Sequence, residues 1–348
     1  MGNKMKDLRT INEEDFYKFR NFDEKIKFLL NYAVIAPSTH NSQPWLFKIS
    51  PSFCEIYKNN NLALPYADPL NRDLYISIGC ALENLILASK YFNVYEKTEY
   101  IFENNLIARV YFKDLDKKPI PNEELKEWLL GIKKRLNARG MFKPDNVPSE
   151  LLNKIKTLNQ DESLEINLLT EKTKIEKMAE LIAKGLEIAY RNKNFRQEMS
   201  RWINNSLSRK KEGIPGYALK MPLLLSFVFP FMIKYLDLGK KLGKLNYLSV
   251  KSAPVSCLIS SKENSPLIWC KVGQLAERIM VFLAANNLES SIFVSAIEMG
   301  LAKEVAEIFE TDWLPQFHFC FGYMDIEEKF TPRHSVEEKI INDQNKYK

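Results

Sequence analysis

Three things are scarce in this chain, and each scarcity removes a class of protein. Cysteine is the first. The 348 residues hold five, Cys54, Cys80, Cys257, Cys270 and Cys320. The number is odd, the spacings are wide and no C-x-x-C occurs, so no disulfide framework is expected and a reducing cytoplasm is the compartment that fits. Histidine is the second. His40, His318 and His334 are scattered, and without H-E-x-x-H or a cysteine pair there is no zinc pattern. Long apolar runs are the third. The segment that calls for a check, MPLLLSFVFPFMI at 221–233, is about a dozen residues long, where a spanning helix needs roughly 20. It also holds Pro222 and Pro230, so it reads as a buried or interfacial flap and argues against a membrane span. The opening MGNKMKDLRT has no apolar signal core. Neither G-x-G-x-x-G nor G-x-x-x-x-G-K-[ST] occurs, so a Rossmann or P-loop site has no support.

What is present is ordinary in bulk and specific in pattern. Apolar residues make up 45% and aromatics 12%, enough for one or two cores. The 50 basic and 44 acidic residues are mixed, and the net charge of +6 suits an anionic ligand but falls short of a nucleic-acid footprint. Apolar spacing predicts helices over 23–36, 74–92, 122–135, 148–158, 172–191 and 271–288. It predicts strands over 44–50, 53–57, 106–112, 254–260 and 317–323.

Two of these helices align without a gap. IGCALENLILASKYFNV from Ile78 lies over VGQLAERIMVFLAANNL from Val272, matching Gly79 with Gly273 and Glu83 with Glu277 at an offset of 194. Glycine inside a helix costs about 1 kcal/mol relative to alanine, so two in register suggest a shared need for close packing. The helix from Asp23 corresponds more weakly to one from Ser149. The offsets imply a duplicated chain, with halves 1–118 and 119–348 and a lid of about 204–250 inserted in the second half.

At this point particular residues resemble a known family. APSTHNSQPWLF (36–47) is similar to the loop that follows the first core helix of FMN-dependent nitroreductases. RLNARGMF (135–142) resembles their arginine-rich phosphate-binding opening, and FGYMDIEEKFTPRHSVEEKI (321–340) their C-terminal end. DPLNRDLYISIGCALENL (68–85) and GIPGYALKMP (213–222) resemble the Acg-like branch, in which two nitroreductase halves are fused. The resemblance implies an α+β nitroreductase-like fold, internally duplicated as an intramolecular pseudo-dimer. It also implies one FMN per chain, because the loop occurs only in the first half and the arginine elements only in the second.

The same resemblance assigns the site. Arg135, Arg139 and Arg333 are the phosphate candidates, since a planar guanidinium donates bidentately to phosphate. Asn137 stands where the family carries Ser or Thr, and its amide can still donate. Read alone, KKRLNAR is equally a solvated helix end, where basic residues suit the dipole. Pro37, Ser38, Thr39 and Asn41 would reach the flavin ring, whose edge offers acceptors to short polar side chains. Read alone, that loop is an ordinary helix-to-strand turn. Val294 and Ser295 align with the segment whose backbone approaches flavin N5, where ordinary members carry Glu-Gly. No catalytic acid, base or nucleophile stands out, which agrees with chemistry carried by a cofactor.

Two functions from different classes follow. One is an NAD(P)H-dependent oxidoreductase reducing a nitroaromatic or quinone-like acceptor by a ping-pong sequence. The other is a redox-inert protein that sequesters FMN beneath the lid. The expected partners are NAD(P)H and a small-molecule acceptor, with neither nucleic acid nor a membrane expected, and the chain is expected to act as a monomeric pseudo-dimer or a homodimer.

Overall fold

The computed structural model describes residues 9–113, 122–327 and 329–341, and the expected junction at 118 and 119 lies outside them. Asn21 opens helix α1 (Phe22–Ala33) by accepting the Glu24 N–H at 2.8 Å, which satisfies a donor that the first turn leaves free. The helix buries Ile26, Leu29, Leu30 and Ala33, one face of its apolar spacing. Strands β1 (Trp45–Ser50) and β2 (Phe53–Lys58) then pair as a tight hairpin, with Ser50 opposite Phe53. Helix α2 (Arg72–Tyr91) follows, and strands β3 (Tyr95–Glu103) and β4 (Leu106–Phe112) complete an antiparallel sheet in the order β1-β2-β4-β3.

The rest of the chain builds a second sheet. Helices α3 (Glu123–Lys134) and α4 (Ser149–Thr157) precede strand β5 (Leu164–Leu169). Helices α5 (Lys172–Arg191) and α6 (Lys193–Trp202) lead to the short parallel pair β6 (Ile203–Asn204) and β7 (Ile214–Pro215). Helices α7 (Leu223–Tyr235) and α8 (Gly239–Ser252) come next. Strand β8 (Val255–Ser261), helix α9 (Pro266–Ala285) and strand β9 (Glu289–Ile292) resume the sheet. Short helices α10 (Ser295–Glu298) and α11 (Ala302–Phe309) reach strand β10 (Leu314–Gly322), and α12 (Val336–Lys339) ends the described chain. The order is β5-β8-β10-β9, again antiparallel throughout.

The two sheets share one wiring. In each, the fourth strand lies beside the second, and a long helix runs between the second and third strands. The difference falls between the first two strands: two residues separate β1 from β2, whereas α5 to α8 separate β5 from β8. The additional elements therefore extend over 172–252 and include the 204–250 stretch.

The two sheets meet through α2 and α9, which pack directly against each other. A Cβ on Gly79 would fall onto the Cys270 carbonyl oxygen and lie 3.0 Å from the Gly273 Cα. A Cβ on Gly273 would fall onto the Ile76 carbonyl oxygen. Ile76 and Cys270 are separated by the same 194 residues as the glycines, so the crossing is reciprocal. Around it lies a core drawn from both sheets, including Leu82, Leu85, Ile279 and Phe319.

Within the two four-stranded sheets, three strands were not anticipated from sequence, β3, β5 and β9, nor was the short β6–β7 pair, and the flap around 221–233 is the helix α7. Leu224 is 83% exposed and Phe231 67%, while Ser226, Phe229 and Ile233 face inward. Among the described residues, no helix is long and apolar enough to cross a membrane. The five cysteines are free and buried. No metal-holding group of His, Cys, Asp or Glu occurs among the described residues.

Candidate functional site

The 37–43 loop is an unusual backbone held from several sides. His40, Asn41 and Gln43 have φ of 54°, 57° and 54°, the left-handed region that costs a side chain with a Cβ free energy. Such geometry persists only where the surroundings over-determine it, and here they do. The Ser38 Oγ accepts the Gln43 N–H at 2.9 Å. The Thr39 N–H donates to Ser77 Oγ at 3.2 Å, and its hydroxyl to Asp73 Oδ2 at 3.3 Å, both on α2. The Asn41 amide donates to the carbonyls of Lys211, Gly213 and Pro332 at 3.0, 3.2 and 3.0 Å. Buried Gln43 donates to the Lys211 carbonyl at 2.7 Å and accepts the His334 N–H at 2.9 Å. Buried Lys339 donates to the Gln43 carbonyl at 2.7 Å. The 37–43 loop, the 211–213 segment and the C-terminal arm are thus one hydrogen-bonded unit.

Arg333 belongs to it. Its Nη1 donates to the Asn41 Oδ1, the Thr331 hydroxyl and the Pro332 carbonyl, and its Nη2 to the Ala36 carbonyl at 3.2 Å. Its Nε is buried without a partner. Every acceptor is neutral, so the charge has no carboxylate partner among the described residues. Burial, then the neighbouring Arg135 charge, pull its pKa down to about 9, with Glu277 acting in the opposite direction.

Arg135 is placed differently. It is 2% exposed, its Nε lies 3.0 Å from the wholly buried Glu277 Oε1, and its Nη2 donates to the Ile35 carbonyl at 2.8 Å. Its charge is therefore already neutralised by a carboxylate. Burial pushes the Glu277 carboxyl up, and the Arg135 charge holds it back. Glu83, the sequence counterpart of Glu277, is equally enclosed and pairs with Arg278 at 2.7 Å.

Arg139 has neither a hydrogen bond nor an ion pair among the described residues. Burial lowers its pKa, and Tyr190 lies close enough to oppose that shift. Its neighbour Gly140 has φ of 120°, and a Cβ there would lie 2.8 Å from Lys220 Nζ, so a second cation stands beside it. The Arg139 charge also reaches His40. Burial takes the His40 pKa down to about 4, against the pull of Asp73 and with the help of Arg139.

The remaining sequence candidates gather near β9. Exposed Asn137 accepts the Ile292 N–H at 3.0 Å, and Ala138 donates to the Ser290 carbonyl at 2.8 Å. Val294 precedes α10 and its carbonyl accepts from Glu298. The Ser295 hydroxyl donates to the Ile182 carbonyl of α5 at 2.9 Å. A Cβ on Gly185 of α5 would lie 2.5 Å from the Ser295 carbonyl oxygen, so this turn rests directly on α5. Ser38, Thr39, Asn41 and Arg333 are therefore joined through the 36–43 loop, of which Pro37 is part, with Arg135 bonded to Ile35 just before it, whereas Asn137 bonds to β9 at Ile292 and Val294 and Ser295 follow that strand. Arg139 is two residues from Asn137 and electrostatically in touch with His40.

Three participants were not singled out from sequence. Lys220 sits in the quoted GIPGYALKMP stretch, where its position just before an apolar run gave it no distinction. Asp73, one residue after Arg72 at the start of α2, anchors Thr39. Glu212 pairs with His334 at 2.9 Å and so helps fix the C-terminal arm.

No family model matches the chain. Over 65 residues it is 37% identical to the "Putative NAD(P)H nitroreductase" of two Mycobacterium tuberculosis strains, a stretch that makes up 19% of this chain and 19% of the relatives. The alignment thus spans about a fifth of the length of the curated relatives it matches. Among solved structures, the chain is similar to the FMN-dependent nitroreductase NfnB of Mycobacterium smegmatis in complex with NADPH, at 16% identity and a TM-score of 0.39, covering 61% of this chain and 96% of that one. It is similar also to a nitroreductase with bound FMN from Bacteroides fragilis, at 13% identity and a TM-score of 0.37, covering 58% and 93%.

Proposed function

We propose that the chain is an FMN-binding oxidoreductase of the nitroreductase superfamily. In this reading its two like-wired units form an intramolecular pseudo-dimer of the Acg-like kind, sharing one flavin. The observation that carries the reading is the pair of guanidiniums, Arg139 and Arg333, that have no carboxylate partner among the described residues. One bonds directly to the 37–41 loop of the other unit, and the other acts on His40 within that loop. Half-buried charges held this way without a counter-ion carry a desolvation cost that an anion would offset, and a phosphate is the anion that a guanidinium fork fits. The residues therefore fit an anionic flavin nucleotide. The similarity to curated nitroreductases over 65 residues and the shared wiring of the two sheets support the same reading.

Arg139 and Arg333 would hold the phosphate, with Lys220 adding positive charge. Arg135, neutralised by Glu277, would act by holding the end of α1 and, through it, the loop. Asn137 retains its amide N–H groups for the ligand, because its oxygen is engaged by Ile292. Pro37, Ser38, Thr39 and Asn41 would face the ring edge, and the Val294–Ser295 backbone would approach it from the second unit. The chemistry supplied by bound FMN is hydride acceptance from NADH or NADPH and electron delivery to a nitroaromatic or quinone-like acceptor, in ping-pong order because both substrates need one face.

The test is anaerobic addition of NADPH, then NADH, to FMN-loaded protein, followed by a quinone or nitroaromatic. Bleaching of the flavin band and its return with acceptor support the oxidoreductase. A redox-inert FMN store is favoured by one specific contact: carbonyls of the inserted segment, Lys211 and Gly213, already occupy the Asn41 amide and close the loop from outside. A flavin that binds but is not bleached by either nucleotide selects that second reading.

A further inference from the structure

We propose that α7 and its basic flanks are a docking surface for an anionic lipid bilayer. A solvent-facing helix normally shows water a polar face. Helix α7 has one polar residue with a free charge, Lys234, and otherwise exposes Leu223, Leu224, Phe227, Val228, Phe231 and Tyr235. Its inward side, Ser226, Phe229 and Ile233, is already packed against α6 and β6. The outward side therefore has no further work within the described fold.

Charge says what covers it. The stretch 207–248 holds eight of the 50 basic residues and only two of the 44 acidic ones, so its +6 equals the net charge of the whole chain. Both acids are engaged: Glu212 pairs with His334, and Asp237 accepts the Gly239 N–H at 2.9 Å. Lys234, Lys240, Lys241 and Lys244 make no ion pair among the described residues. Lys234 lies in the last turn of α7, and Lys240 and Lys241 in the first turn of α8. Lys234 lies over the Tyr235 ring at 5.1 Å, so an aromatic and a cation share the rim of the apolar face.

An apolar helix with lysines in its last turn and in the segment that follows is the composition of an interfacial helix, which lies in the headgroup plane. A span is excluded by length, because 13 residues rise about 20 Å against a hydrocarbon core of about 30 Å. A second copy of the chain is disfavoured, because face-to-face docking would set one +6 region against another.

The test is co-flotation of the full chain with vesicles, independent of any flavin. With phosphatidylcholine vesicles containing phosphatidylglycerol, the protein floats at low salt and is released at about 1 M salt, where the Debye length is about 3 Å. Phosphatidylcholine alone, or the K240E/K241E variant, reduces binding by about thirtyfold or more. The L224D/F231D variant, altered only at exposed positions, keeps its thermal transition and loses flotation. The proposal is overturned if anionic vesicles do not float the protein, or if L224D/F231D floats equally well. It is equally overturned if the face is occupied by a second copy, read as a dimer that L224D/F231D converts to monomer in the absence of lipid.

Discussion

Gly79 and Gly273 face each other where α2 crosses α9, close enough that a methyl group on Gly79 would lie 3.0 Å from the Gly273 Cα. Each helix backbone fills the space that a side chain on the other would need. The two units are joined at this point, so the loop of the first reaches the arginines of the second only while the crossing keeps its spacing.

G79A and G273A should each destabilise the protein by about 2–3 kcal/mol, because the added carbon meets a backbone carbonyl that cannot rotate away. Urea denaturation measures this. A change below about 0.5 kcal/mol in both variants, the level of ordinary surface substitutions, would mean that the helices part without cost.

E277Q should be more damaging than its size suggests. It leaves the Arg135 guanidinium, 2% exposed, without its counter-charge. Breaking one side of a buried pair costs about 3–5 kcal/mol. The combined R135M/E277L variant removes both charges and should recover a large part of that loss. A double-mutant cycle by chemical denaturation reads the coupling, and strictly additive losses would contradict it.

Much of this arrangement was legible in the sequence, and the exceptions have physical causes. Gly79, Gly273, Glu83 and Glu277 could be matched because burial at a helix crossing constrains residue type tightly. The apolar strands β4, β8 and β10 showed themselves by composition. Strand β3, YEKTEYIFE, is an edge strand with little burial, and its charges hide its alternation. Strand β5 is also an edge strand, and β9 has four residues, too few for a period to register. Helix α7 reads as a flap because Pro230 lies inside it and its apolar residues surround it without a stripe. Within the site, the resemblance assigns Arg333 to the phosphate and Asn41 to the ring of one flavin, and the direct hydrogen bond between the two was not foreseen. The capture of Arg135 by Glu277 was not, since a sequence does not show which buried acid an arginine will meet across two halves.

His318 predicts a defined acid response. It is fully buried, its Nδ1 lies 2.9 Å from the Phe293 carbonyl and its Nε2 2.7 Å from Ser256 Oγ, an arrangement that suits the neutral ring. Burial lowers its pKa to about 4, with the Phe293 hydrogen bond opposing. The unfolded chain takes up this proton near its ordinary pKa of about 6.5, whereas the folded chain refuses it until about 4. The contribution is therefore complete above about pH 6.5 and is lost as pH falls toward 4, on the order of 3 kcal/mol in all. Asp68, pushed up to about 6 by burial and by Asp73, titrates in the same window with the opposite sign. Its effect cancels when wild type is compared with H318Q. The stability difference between those proteins should shrink from pH 7 to 4.5, and a constant difference would contradict the assignment.

Arg139 and Arg333 should matter to the ligand more than to the fold. R139A removes a guanidinium that has no partner to strand among the described residues, so its stability change should stay within about 0.5 kcal/mol. Its FMN affinity should fall about tenfold to a hundredfold, the loss expected for a hydrogen bond to a charged group. R139K should recover part of that affinity as a point charge without the fork. Equal losses of stability and affinity in R139A would assign the residue a structural role instead.

The most direct test of the shared-flavin account is the visible absorbance spectrum of the purified protein after FMN addition and removal of free ligand, beside the R139A/R333A variant. The account predicts flavin bands near roughly 370 and 450 nm, as for an oxidised flavin, at one equivalent per chain in the wild type and absent from the variant. No retained flavin in the wild type, or the same retention in both proteins, would contradict it.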